Sequence, residues 1–265
     1  MPYADELYYE VHGQANAPPV LFSAGLGGSA NYWRPNLDAV AQAHRVILYD
    51  HRGTGRSARA VAGDLTLETL GDDMLRLLDS LDIGAAIIVG HAIGGMAGMA
   101  LALAAPERVA GLGVVNGWAR LDRHTERCFE TRLALLRDSG PGAYLHAQPL
   151  FLFPPQWISD HHDALVGEAL EQLAHFPGAE MVERRVAAAR RFDVADRLAE
   201  LRAPTLLIAS DDDMLVPPAR SEAIHAGVAR SRLVRFETGG HACNVTRADD
   251  FNACLLGWLR DTGRT

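Results

Sequence analysis

Short apolar runs alternate along this chain with longer segments whose apolar residues recur at helical spacing. Leu7 to Val11 is a short extended run ending at Gly13, and Pro19 to Ala24 is a compact apolar strand closed by Gly25. A helix is expected from about Asn31 to Ala43, before a strand at Arg45 to Tyr49. Thr66 to Ser80 sets Leu67, Leu70, Met74, Leu77, Leu78 and Leu81 on one stripe, the repeat of an amphipathic helix. Thr66 reads as its N-cap, and Thr69 is not expected to complete a capping box. Ala85 to Val89 reads as the most buried strand, Ile93 to Ala105 as a small-residue helix stopped by Pro106, and Val109 to Val115 as a further strand. Continuous apolar strands alternating with helices predict an α/β fold whose parallel sheet is covered on both faces.

The rhythm changes after Gly117. From Trp118 to about Leu198 the pattern is mostly helical, with breaks at Pro141, Pro149, Pro154-Pro155 and Pro177. This predicts a helical cap, residues 118–198, inserted into a core made of residues 1–117 and 199–265. The α/β alternation resumes with a strand at Pro204 to Ala209, a helix near Ala219 to Ala226, a strand at Leu233 to Phe236 and a last helix from about Asp249 to Arg260.

Composition narrows the partners. With 25 basic and 33 acidic residues the formal charge is −8, which disfavours nucleic acid or an anionic membrane surface as partner. No apolar run reaches membrane-spanning length, and the polar, acidic start Met1-Pro2-Tyr3-Ala4-Asp5-Glu6 does not read as a signal peptide. Cys128, Cys243 and Cys254 form no disulfide framework, which fits a reducing compartment. The expectation is a cytoplasmic protein that acts on a small molecule; a homodimer is left open.

The chemistry gathers where strands end, the usual place for sites in open α/β sheets. Ile88-Val89-Gly90-His91-Ala92-Ile93-Gly94-Gly95 is a strand, a tight glycine-flanked turn and a helix start. In a nucleophile elbow the central position carries serine; here Ala92 carries a methyl group. Ser23-Ala24-Gly25-Leu26-Gly27-Gly28 is a loop whose amides can face that elbow, so the backbone N–H groups of Leu26 and Ile93 are the candidate oxyanion donors. Ser210-Asp211-Asp212-Asp213 follows a late strand. Asp213 is the preferred carboxylate because it stands four residues before Pro217, where a helix should begin, with Asp211 and Asp212 as alternatives. Gly239-Gly240-His241 follows the last strand. The chain order of elbow, acid and histidine is that of an α/β-hydrolase triad, with His241 as base and Asp213 fixing its tautomer.

Asp50-His51-Arg52-Gly53-Thr54-Gly55-Arg56-Ser57 and Gly90-His91-Ala92-Ile93-Gly94-Gly95 resemble the conserved loop and elbow of the α/β-hydrolase superfamily, Ala92 excepted. The resemblance implies an α/β-hydrolase fold with a mostly parallel sheet and a helical cap. Val115-Asn116-Gly117-Trp118, His124 to Phe129, Ala147 to Pro154 and Gly239 to Thr246 are similar to the RutD family of bacterial pyrimidine catabolism. That resemblance implies a hydrolase that releases ammonia from carbamate or aminoacrylate; from the residues, no cofactor or metal is expected. It also implies substrate-binding roles for Arg127, His124, Gln148 and Trp118, with Arg127 gripping a substrate carboxylate.

Competing patterns are weaker. Gly25-Leu26-Gly27-Gly28-Ser29-Ala30 matches a dinucleotide fingerprint with Asp50 at the expected distance, but it leaves the acid and histidine segments idle. Asp160-His161-His162-Asp163 reads as a solvated turn rather than a metal site, and Gly53 to Ser57 lacks a phosphate-loop lysine. Ser23, Ser29 and Cys243 are substitute nucleophiles of lower rank, and His91 is read as support for a loop. A catalytically inactive binding protein and a cofactor-free lyase or decarboxylase are the rival functions.

Overall fold

A computed structural model describes residues 3–262. Met1 and Pro2, which open the acidic N-terminal stretch, and residues 263–265 lie outside the described residues. In chain order the strands are β1 (Tyr3–Ala4), β2 (Leu7–His12), β3 (Pro19–Ser23), β4 (Arg45–Tyr49), β5 (Ala86–His91), β6 (Val109–Val115), β7 (Thr205–Ser210) and β8 (Ser231–Phe236). They form one sheet in the order β1-β2-β4-β3-β5-β6-β7-β8. The pairs from β4 to β8 are parallel, while β1 and β2 close one edge antiparallel. The fold is therefore α/β with a mostly parallel sheet, as the pattern predicts.

The two-residue period of the strands builds both faces. Val20 and Phe22 of β3, with Val46 and Leu48 of β4, enter one apolar core against Trp33, Leu37, Phe251, Leu255 and Trp258. These come from a short 3-10 turn (Ala30–Trp33), α1 (Arg34–Ala41) and the C-terminal helix α10 (Ala248–Thr262). Leu21, Ile47 and Tyr49 point the other way, into the core made with α2 (Leu67–Ser80) and α3 (Ile93–Ala104). Successive side chains of one strand thus secure opposite layers. The first predicted helix is shorter than its pattern, because Ala30 to Trp33 winds as 3-10 before Arg34.

The start of α2 corrects one expectation. Thr69 does complete a capping box: its amide donates to Thr66 Oγ1 (3.1 Å), and its hydroxyl accepts from the Thr66 amide (2.9 Å). A threonine hydroxyl is long enough to do what Glu or Gln does in the usual pattern.

Between β6 and β7 the chain leaves the sheet and builds the cap. The cap holds α4 (Arg123–Leu152), α5 (Pro155–Asp160), α6 (His162–Ala174) and α7 (Ala179–Arg191). Its two crossing segments meet: Arg120 and Asp193 form an isolated antiparallel bridge, and the Val194 amide donates to Ala119 O (2.9 Å). Asp122 caps α4 by accepting from the Thr125 amide (2.8 Å). Gly140 sits at φ 83° just before Pro141, so α4 is two helices joined at a bend. After β7 come α8 (Ala219–Gly227) and α9 (Cys243–Thr246), a short helix that the sequence pattern does not show. Among the described residues no helix is long and apolar enough to cross a membrane.

Candidate active site

The elbow is built by close packing. Ala92 sits between β5 and α3 at φ 45° and ψ −114°, and its amide donates to Val115 O on β6 (2.8 Å). A non-glycine residue at positive φ costs about 1–3 kcal/mol and is held only by a surrounding structure that over-determines it. The surroundings do so here. A side chain on Gly94 would collide with the carbonyl oxygens of Ser23 and Ala24, and one on Gly90 would collide with the backbone of Gly94 and Gly95. Strand β3, the elbow and α3 therefore touch backbone to backbone. Ala92 is 5% exposed, and the amide of Ile93, first residue of α3, is one of the donors a helix start leaves without an intrahelical partner.

His241 and Asp213 meet at this elbow's side of the sheet. His241 Nδ1 lies 2.8 Å from Asp213 Oδ2, with both side chains almost wholly buried. Asp213 Oδ1 accepts from the amides of Leu215 (2.8 Å) and Val216 (2.9 Å), so one oxygen is fixed by its own loop and the other faces the imidazole. A carboxylate only accepts, so Nδ1 carries the proton of this bond, and in the neutral ring Nε2 is then an acceptor. Among the described residues Nε2 has no hydrogen-bond partner. The neighbouring acids do other work. Asp212 accepts from the amides of Gly240 (2.8 Å) and Gly239 (3.2 Å), setting the turn that delivers His241. Asp211 pairs with Arg235 at the surface.

Two further groups hold the backbone of His241. His91 Nε2 donates to His241 O (2.8 Å), and Asn116 Nδ2 donates to the same oxygen (2.6 Å). The His91 ring rests edge-on against His241 at 4.6 Å between centroids. Burial, and then the neighbouring His241, push His91 well below the usual histidine range, so it serves as a neutral donor. The substitute nucleophiles are engaged or unreactive. Ser23 Oγ bonds Tyr49 OH (2.9 Å) and His51 Nε2 (3.0 Å). Ser29 caps the 3-10 turn. Cys243 is buried, and that burial pushes its thiol up to about 12. Asp50, the acid of the dinucleotide pattern, instead accepts from the Ala30 amide (2.8 Å) and binds Arg56.

The cap residues divide. His124 is exposed and bonds Met214 O (2.7 Å), while Thr125 Oγ1 donates to Leu215 O (3.0 Å), so the first turn of α4 clamps the Asp213 loop. Trp118 is 2% exposed and packs 6.0 Å from the Phe129 ring. Gln148 is half-buried, and its Oε1 accepts from Arg132 Nη2 (3.2 Å). The placement of Arg127 differs from its expectation. It is exposed, on the outer face of α4, while Arg132, five residues on, turns inward and is 4% exposed. Arg185 of α7 is also buried. It donates from Nη1 to Leu26 O (2.9 Å) and from Nη2 to Arg52 O (2.8 Å), which ties the cap to the candidate oxyanion loop.

Comparison with known proteins agrees with this architecture. A profile described as "alpha/beta hydrolase fold" matches residues 18–248. A protein of Azorhizobium caulinodans with the name "Putative carbamate hydrolase RutD" is 48% identical over 97% of this chain and 98% of its own. A protein of Agrobacterium fabrum with the same name is 41% identical over 98% and 100%. The chain belongs to the RutD family of the α/β-hydrolase fold. Among solved structures, an enol-lactonase from Burkholderia xenovorans superposes with a TM-score of 0.87 at 27% identity, covering 96% of each chain. A hydrolase from Pseudomonas aeruginosa gives 0.83 at 30% identity, over 96% of this chain and 94% of that one.

Arg132, Arg185 and Asn116 are the site neighbours that motif reading does not single out. A signal for the two arginines exists. Thr125, Cys128, Phe129, Arg132, Leu133 and Leu136 share the buried stripe of α4, and Met181, Val182, Arg185, Val186 and Ala189 share that of α7. A cation in the apolar phase of a helix is the feature to look for. Asn116 stands at φ 50° just past β6, a conformation that asparagine tolerates better than most residues but that no spacing rule announces. Two surface clefts, of about 320 and 500 Å³, lie between α4 and α7 and beside the cap's crossing segments. They contain the Arg137–Glu183 and Arg120–Asp193 ion pairs and none of the residues around His241.

Proposed function

We propose that the protein hydrolyses a carbon–nitrogen bond in a small, labile compound, releasing ammonia in the breakdown of pyrimidines, and that it does so with water instead of a serine nucleophile. Carbamate is the substrate that the relatives' names give, and aminoacrylate is the other candidate. The observation that carries the reading is the pair His241–Asp213, fully assembled beside an elbow whose apex is a methyl group. Without an oxygen on Ala92 there is no acyl-enzyme at that position. The imidazole remains, and its Nε2 has no hydrogen-bond partner among the described residues.

The sequence of bond changes follows from those groups. Nε2 of His241 takes a proton from water as the water oxygen adds to the substrate carbon. Asp213 stabilises the resulting imidazolium. In this reading the amides of Leu26 and Ile93 hold negative charge that develops on oxygen. His241 then returns the proton to nitrogen and the C–N bond breaks as C=O forms: carbamate gives bicarbonate, and in the imine tautomer of aminoacrylate the added hydroxyl passes its proton to nitrogen as it becomes the ketone oxygen, so ammonia leaves in both cases. Proton transfer by a positioned histidine contributes typically about 10²–10⁴-fold, a modest acceleration that suits a substrate already prone to hydrolysis.

The test is ammonia release by the wild-type protein, by His241→Ala and by buffer, with carbamate and with aminoacrylate generated in place. The variant is expected to lose about 10²-fold or more of the enzyme-dependent rate. Equal rates in all three solutions would show a binding protein instead. Exposure to an acylating probe should leave no adduct on intact-mass analysis; an adduct would point to a nucleophile other than water.

A further inference from the structure

Buried charges in this protein are generally matched. Asp73, wholly buried, meets Arg52 and Arg76, and Asp50 meets Arg56. Arg132 and Arg185 break this pattern. They are 4% and 2% exposed, yet neither bonds a carboxylate among the described residues. Arg185 spends its two terminal nitrogens on backbone carbonyls. Arg132 spends only Nη2, on Tyr144 OH (2.9 Å) and Gln148 Oε1. Its Nε is buried without a partner, and among the described residues Nη1 makes no hydrogen bond. The guanidinium carbon lies 5.1 Å from the Tyr144 ring centroid and 5.6 Å from that of Phe151, so aromatic faces hold it in place.

The neighbours of Arg132 fix where this cation sits. Leu152, next to Phe151, accepts through its carbonyl from the Ala242 amide (3.0 Å), directly after His241. Cys128, one turn before Arg132, sets its Sγ 3.9 Å from Met214 O, beside the Asp213 loop. Arg132 thus lies on the buried side of a cap segment whose two ends reach the Asp213 loop and the chain directly after His241.

We propose that Arg132 is the carboxylate-recognising residue of this site, with Nη1 as its donor and Gln148 and Tyr144 as its positioning partners. The inference rests on the proposed hydrolase reading and sharpens its substrate class. The recognising cation is on the cap and the proton-transfer pair on the core. That separation suits a small monocarboxylate whose carboxylate is set apart from the carbon that loses nitrogen, more than a molecule in which one carbon is both. A buried guanidinium without a carboxylate carries an unrepaid desolvation cost. A charge-assisted bond from a ligand carboxylate offsets part of it, and a neutral ligand cannot.

The experiment measures binding, so it does not depend on turnover. Propanoate and its neutral counterpart propanamide are titrated calorimetrically into the wild-type protein, Arg132→Gln, Arg132→Lys and Arg127→Gln, with folding checked by circular dichroism. Wild type and Arg127→Gln should bind propanoate at least ten-fold tighter than propanamide, a preference of about 1.4 kcal/mol. Arg132→Gln should lose that preference, and Arg132→Lys should keep part of it. Equal binding of the two ligands by wild type, or an undiminished preference in Arg132→Gln, overturns the assignment. His241→Ala separates the two proposals: it should abolish ammonia release and leave propanoate binding intact. A wild type that binds propanoate through Arg132 but releases no ammonia would sink the hydrolase reading and leave this subsite standing.

Discussion

In the α/β core, the floor below the cap, Asp213 faces His241, Asp50 faces Arg56, and Asp73 faces Arg52. In the roof, Arg132 and Arg185 face a phenol, an amide oxygen and backbone carbonyls. These acids of the floor are each matched by a basic side chain, and in the proposed reaction one of the pairs moves the proton. The roof keeps positive charge that no carboxylate among the described residues answers. Burial pushes the Arg185 guanidinium down to about 10, which still leaves it cationic at neutral pH. The two layers therefore divide the work in the proposed reaction: the core moves the proton, and the cap selects for an anion. The difference also shows what an alanine at the elbow does and does not change: the apex carries no nucleophile, while the His241–Asp213 pair and the buried cap arginines are in place.

The sharpest way to break this division is on the floor. Asp213→Asn keeps an oxygen for the Leu215 and Val216 amides but places a neutral amide opposite Nδ1. The wrong tautomer of His241 then becomes available, and kcat for ammonia release should fall about 10³-fold or more, with KM little changed. A loss below ten-fold would mean that Asp213 is a structural acid and that the proton leaves by another route.

A smaller effect is expected where roof and floor touch. Arg185 spans Leu26 O and Arg52 O with one rigid fork, a geometry that a lysine ammonium cannot reproduce. Arg185→Lys keeps the charge and loses one of the two bonds, so the Leu26 loop should loosen. We expect kcat to fall about ten-fold, since an oxyanion donor is displaced rather than removed. Arg132→Gln should instead raise KM. If both variants changed the same parameter, the roof would be one electrostatic unit, and the split between positioning and recognition would fail.

Why the floor was readable in the sequence and the roof was not follows from the same contrast. The elbow, the acid loop and the histidine turn are local: glycines at fixed offsets, a strand end, a proline before a helix. Gly90 and Gly94 are required by backbone contacts that any chain with this turn must make. The choice of Asp213 over Asp211 and Asp212 follows from its distance to Pro217, and the structure pairs Asp213 with His241 at 2.8 Å. The cap has no such local code. Arg127 and Arg132 stand on one helix, and only the rotation of about 100° per residue decides which of them enters the protein. Reading α4 by motif resemblance favoured Arg127; reading it by the phase of Cys128, Phe129 and Leu133 selects Arg132. Asn116 and the 3-10 turn before α1 depend on contacts made by distant segments, which no window of sequence contains. The capping box at Thr69 has a simpler reason: a hydroxyl takes the place of the longer side chain expected there.

The smallest effect concerns the floor's outer edge, where charge matching predicts a pH dependence. Glu10 of β2 binds His12, Arg34 and Arg56. Partial burial raises its carboxyl, but the hydrogen bonds from His12, Arg34 and Arg56 and the charge of Arg34 outweigh it and hold the group down to about 2, against an ordinary 4.5. A carboxyl lowered in the folded state binds fewer protons there than in the unfolded chain. Its contribution is therefore complete above about pH 4.5 and is lost as the pH falls toward 2. The full shift would correspond to about 3 kcal/mol; the exposure of Arg34 and Arg56 screens the pairs, and about 1–2 kcal/mol is the expected contribution. Urea unfolding of wild type and Glu10→Gln should show that gap at pH 7 and a narrowing gap at pH 3. A difference that stays constant between the two pH values would mean that Glu10 acts by packing and not by charge. The claim that the floor closes its charges pairwise would then hold for Asp50 and Asp73 but not for its rim.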